Sequence, residues 1–131
     1  LIITIGGVQM EGFSIITHKN KQIFCIDYSG IGNAKEKVLQ LLEWVAVEYK
    51  KQPPKSILAL TNVENLHFDS QIIDAFKKGR DQTMPYEKKV AVIGMKGIQK
   101  VAYNFIVSLT QKDLVKVFDS ELEAKEWLVK E

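Results

Sequence analysis

The stretch Ser56-Ile57-Leu58-Ala59-Leu60 is apolar after its first residue and lies just past Pro53-Pro54. A run this short, with no polar interruption and a helix breaker before it, fits a strand buried on both faces, as in a parallel sheet. Amphipathic segments flank it. On the N-terminal side Ala34, Val38, Leu41, Leu42, Val45 and Tyr49 recur at helical spacing, with Asn33 and Glu36 placed like a capping box. On the C-terminal side a second helix is expected to start at Asp69 or Ser70 and to bury Ile72, Ile73 and Phe76. Helix, buried strand and helix together are the repeating unit of an α/β domain, whose parallel strands are joined by right-handed crossovers.

The same reading extends outward. Residues 13–17 and 22–28 are rich in β-branched and aromatic side chains and enclose His18-Lys19-Asn20-Lys21, which predicts a hairpin with a short polar turn. Downstream, Met84-Pro85-Tyr86 interrupts the chain before a strand over 89–93. Gly94-Met95-Lys96-Gly97 then leads into a third helix with Ile98, Val101, Ala102, Phe105, Ile106 and Leu109 on one face. A last strand over 114–118 precedes Ser120 and Glu123, a capping box for a final helix in which Leu122, Trp127 and Leu128 pack inward. Trp44 and Trp127, both on helices, are expected to anchor against the sheet. The fold class is therefore α/β: one domain over 11–131, with a mixed, mostly parallel sheet, an N-terminal hairpin and about four helices. Residues 1–10 are an extension, either an extra strand or a remnant, and Met10 is a candidate initiator.

Composition narrows the function classes. At 131 residues, 46% hydrophobic and 26% charged, the chain has the make-up of a soluble domain with its own core, not of a disordered or disulfide-stapled one. Its basic residues are seventeen Lys and the single Arg80, nearly balanced by sixteen acidic residues. So little Arg argues against a dedicated nucleic-acid binder, which needs forked contacts to phosphate and guanine. Cys25 is alone, so no internal disulfide or Cys zinc cluster forms, and within Ile23-Phe24-Cys25-Ile26 it reads as a small buried hydrophobe. Apolar runs of four residues such as Ile57-Leu58-Ala59-Leu60 are too short to span a bilayer, and no signal-peptide pattern is seen. A cytoplasmic location is expected.

Two stretches carry a resemblance. Leu58-Ala59-Leu60-Thr61-Asn62-Val63 followed by Leu66-His67-Phe68-Asp69-Ser70 resembles the apolar strand and the Asp-Ser-Ser-Gly motif at a helix N-terminus found in the STAS family. The C-terminal segment from Val115 to Leu128 resembles the closing strand and helix of the SpoIIAA-like group within it, the anti-sigma factor antagonists and the small STAS/Sec14-like proteins. The resemblance covers the chain from about Glu11 onward and implies a protein-interaction module with no cofactor. In partner-switching relatives the second Ser of the motif takes a phosphate. Here that position is Gln71, the next Gly is Ile72, and Ser70 alone matches a motif serine.

In an open α/β sheet the loops after the carboxyl ends of the parallel strands gather at one edge. That edge holds Asp27, Ser29, Thr61, Asn62, Asp69 and Lys96 as candidate partner- or ligand-binding residues. Asp69 and Ser70 fit a helix N-cap; Ser70 is also the candidate regulatory phosphosite, because a phosphate there changes the surface by nearly two charges. Gly94-Met95-Lys96-Gly97 lacks P-loop spacing and reads as a tight β-to-α connection. His18 and His67 lack the spacing of metal ligands, so no metal site is expected. No nucleophile elbow or other coherent catalytic set is present, so the chain is not expected to be an enzyme. The favoured reading is an interaction module that binds another protein; a homodimer is open if a helix face stays uncovered. The alternative is a Sec14-like carrier of a small apolar ligand or lipid, with a cavity lined by Phe105, Ile106 and Leu109.

Overall fold

Lys19 and Asn20 both adopt positive φ, at 48° and 66°, and join two antiparallel strands through a two-residue turn. The strands are β2 (Val8–His18) and β3 (Lys21–Asp27). His18 and Lys21 are the closing pair of this ladder, so the turn is shorter than the four polar residues suggest. The computed structural model describes residues 2–5, 8–97 and 114–131, with backbone alone up to residue 9. Before β2, β1 (Ile2–Ile5) pairs antiparallel with it, and β2 itself begins at Val8, upstream of residue 11.

Helix α1 (Lys35–Tyr49) follows β3. Its N-cap is Ala34, which makes no side-chain cap bond, where the sequence pattern placed Asn33. The cause is the tight turn before it: Ala34 N–H donates to the Ile31 carbonyl at 2.9 Å, which keeps Asn33 inside the turn. Val38, Leu41, Val45 and Tyr49 form the buried stripe, with Leu42 half-buried beside them. Strand β4 (Ile57–Asn62) is buried over its first five residues and runs parallel to β3, pairing Phe24 with Ala59 and Asp27 with Asn62.

Helix α2 (Ser70–Thr83) is capped by Asp69 and passes through a 3-10 turn, Met84–Tyr86, into β5 (Glu87–Ile93). Of its expected core residues Ile72 and Phe76 are buried and Ile73 is half-buried. The expected third helix lies outside the described residues. Strand β6 (Val115–Val117) pairs parallel with β5, and α3 (Glu121–Val129) closes the chain. Ser120 caps α3 by accepting the Glu123 N–H at 3.1 Å. Leu122 is a correction: it is 64% exposed. Ala124 and Leu128 face the sheet, and Leu122 sits about 200° around the helix from Ala124.

The six described strands form one sheet in chain order, β1 to β6. The first three are antiparallel and β3 to β6 are parallel. Side chains alternate across the sheet, so each strand supplies both faces. Phe13, Phe24, Ile26, Ala59, Val90 and Val92 meet α1 and α2 on one face. Ile23, Leu58, Leu60, Ala91 and Ile93 meet Ala124 and Leu128 of α3 on the other. Trp44 packs edge-on to Phe13 and Trp127 against Phe118. Two strand lysines hold the last turn of α3: Lys89 Nζ donates to the Trp127 and Lys130 carbonyls at 2.8 and 2.6 Å, and Lys21 Nζ to Val129 at 3.1 Å. Cations there satisfy the orphan carbonyls and the negative end of the helix dipole.

Candidate functional site

The loops after β3 and β4 are clamped together at the carboxyl edge of the sheet. Tyr28 N–H donates to the Asn62 carbonyl at 2.9 Å and His67 N–H to the Gly32 carbonyl at 3.0 Å. Gly32 is required by this approach, because a Cβ on it would overlap the Asn65 carbonyl and lie 2.8 Å from Leu66 Cα. Asn65 Nδ2 donates to the Ser29 carbonyl at 3.3 Å, and the Asp27 carboxylate accepts the Ser29 N–H at 2.9 Å. Asn62 Oδ1 accepts the Glu64 N–H at 3.0 Å. Gly94, at φ 83°, passes so close to Asn62 and Glu64 that no side chain fits there.

At the start of α2, Asp69 Oδ1 accepts the Ile72 N–H at 2.8 Å while Oδ2 takes the Lys35 ammonium at 2.5 Å. Lys35 also reaches Gln71 Oε1 at 3.2 Å, so it ties the first turn of α1 to that of α2. The Lys35 ammonium first, and then the Ile72 N–H, hold the Asp69 carboxyl below the usual carboxylate range. Ser70 is exposed at the first helical position, next to this bridge. Lys96 is also exposed, in the loop after β5.

Register divides the expected site in two. On the α2 side lie Asp69 and Ser70, at the start of that helix, while Ser29 stays beside Asp27 through its N–H. On the α3 side lie Asp27 and Asn62, which pair with each other across β3 and β4 and share a face with Leu60 and Ile93. Thr61 belongs to neither surface. It is a β4 strand residue, 9% exposed and turned toward α1 and α2.

On the α3 side the sequence reading missed part of the wall. Ser14 pairs with Cys25 across β2 and β3, one row behind Asp27. Together with Ile16, Leu60, Asn62, Ile93, Glu121 and Lys125 these residues line a pocket of about 290 Å³. Lys125 Nζ lies 3.0 Å from Glu121 Oε2 along α3. Burial pushes the Cys25 thiol up, so it stays protonated at neutral pH. The two-residue alternation of Cys25 and Asp27 is visible in the sequence; which strands flank them is not.

On the other face a cavity of about 50 Å³ lies between α1, α2 and the sheet, bordered by Tyr49, Thr61, Thr83, Arg80 and Glu87. That is room for one or two water molecules, not for an acyl chain. The residues named for a lipid cavity, Phe105, Ile106 and Leu109, lie outside the described residues. Arg80 is committed to Glu87: Nη1 is 2.9 Å from Oε2 and Nη2 is 2.8 Å from Oε1. His18 and Lys19 bind Glu126 of α3 at 3.2 and 2.7 Å, and His67 is exposed. Among the described residues no three His, Cys, Asp or Glu side chains gather as metal ligands, and no helix is long and apolar enough to cross a membrane.

A sheet of this order, with α1 and α2 on one face and a C-terminal helix on the other, defines a SpoIIAA-like fold. A solved structure with this fold is that of an uncharacterised protein of the DUF3478 family from Shewanella loihica PV-4. The two share 18% sequence identity and superpose with a TM-score of 0.63 over 88% of this chain and 91% of the other. No family model and no curated protein matches the sequence.

Proposed function

We propose that this chain is a non-enzymatic, cytoplasmic interaction module that binds a partner protein through the α2-side loops at the carboxyl edge of the sheet. The observation that carries the reading is the bridged start of α2. Lys35, Asp69 and Gln71 form a fixed, exposed polar patch around Ser70, and the Gly32 clamp holds its loops in place. A rigid patch loses little entropy on docking. A phosphate on Ser70 would place nearly two negative charges beside Asp69 and compete with it for Lys35, remodelling the patch.

The test begins with native mass spectrometry of protein purified gently from its host, then repeats it with Lys35→Glu and Ser70→Glu. A co-purifying protein whose capture falls with either variant supports the module. A partner retained equally by both variants, or a bare chain, counts against this surface.

A further inference from the structure

We propose that the pocket beneath α3 binds a small primary ammonium compound carrying a short apolar chain or ring. This goes beyond the partner-binding reading, because the pocket lies on the opposite face of the sheet from Ser70. Its floor follows from strand alternation and register: Ser14 and Cys25 form one row with Leu60, and Asp27 and Asn62 form the next with Ile93. Helix α3 is nine residues long and packs on this face through Ala124 and Leu128, so Glu121 and Lys125 border the polar rows and leave them open at the exposed Asp27.

The volume of about 290 Å³ is at the small end of ligand sites. Ile16, Leu60 and Ile93 supply apolar surface for a ring or short chain. The charges select the head group. Asp27 and Glu121 face one cation, Lys125, which is already paired with Glu121. Asp27 keeps only the Ser29 N–H and has no cationic partner among the described residues. The thiol is neutral and adds no charge. An ammonium group at Asp27 therefore completes a pair, whereas a carboxylate there meets two like charges.

The experiment titrates 2-phenylethylammonium into the full chain labelled with nitrogen-15, with 2-phenylethanol and phenylacetate as the neutral and anionic comparisons. Expected are saturable amide shifts confined to Ser14, Cys25, Asp27, Leu60, Asn62 and Lys125, with millimolar affinity. Asp27→Asn should weaken the ammonium by about tenfold or more, as loss of a charge-assisted bond does. In the unmodified protein the ammonium should also slow iodoacetamide alkylation of Cys25, a readout needing no variant. Lys35→Glu should leave both results unchanged, which separates this pocket from the partner surface. Binding of phenylacetate as tight as the ammonium, no saturable shifts, or unprotected Cys25 overturns the proposal.

Discussion

Replacing Arg80 with Met tests how α2 is fastened to β5. The guanidinium and the Glu87 carboxylate make two contacts, at 2.9 and 2.8 Å, with side chains only 12% and 3% exposed. Water therefore screens the pair little, and removing one partner strands the other charge in the core. Such a loss costs about 3–5 kcal/mol. Against the roughly 5–15 kcal/mol that holds a domain together, that is a large fraction. For a chain of this size it lowers Tm by roughly 10–20 °C. Adding Glu87→Leu removes the stranded carboxylate, so the double variant R80M/E87L should return to within about 1–2 kcal/mol of the parent. Urea unfolding followed by Trp44 and Trp127 fluorescence and by circular dichroism measures all four corners of the cycle. An R80M loss under about 1 kcal/mol, or a double variant as unstable as the two singles summed, would refute the reasoning.

Three further outcomes follow from local geometry. The Asp69 carboxyl should titrate below the usual carboxylate range, so its contribution to stability is present above the unfolded-state value and is lost as pH falls through the native one. A carboxyl carbon-13 titration from about pH 6 to 2 measures this, and Lys35→Met should move the midpoint upward; an unmoved midpoint contradicts the assigned cause. Ser120→Ala removes the cap of α3 and should cost about 0.5–2 kcal/mol in urea unfolding, an unchanged midpoint arguing that α3 starts elsewhere. Gly32→Ala should cost about 1–3 kcal/mol and shift the Asn65 and Leu66 amides, since its Cβ meets their backbone; unperturbed amides would mean the two loops are not clamped.

How much could be read beforehand depended on whether the signal was local. The wholly apolar Ile57-Leu58-Ala59-Leu60, the stripe from Val38 to Tyr49 and the Ser120 cap are local patterns, and each sits where its pattern placed it. Asn33 misled because the turn at Ile31 consumes it before the helix starts. Leu122 misled because apolar character alone does not say which side of a short helix faces the sheet. The candidate edge was legible as a set of loops, yet Asp27 and Asp69 belong to different surfaces. That division is set by strand pairing, a relation between residues tens of positions apart. For the same reason Arg80, conspicuous as the only Arg, gave no sign that Glu87 would bury it.

The strand order has a consequence for how the chain is made. Because β1 to β6 lie side by side in the order of synthesis, each strand leaves the ribosome after the neighbour it pairs with. The sheet can grow by addition at one border, with none of the described strands waiting for a later one to be inserted beside it. The α3 face is the exception. Ile23, Leu58, Leu60, Ala91 and Ile93 stay uncovered by α3 until residues 121–129 appear, and the lysines of β3 and β5 that grip the end of that helix are already in place when it arrives.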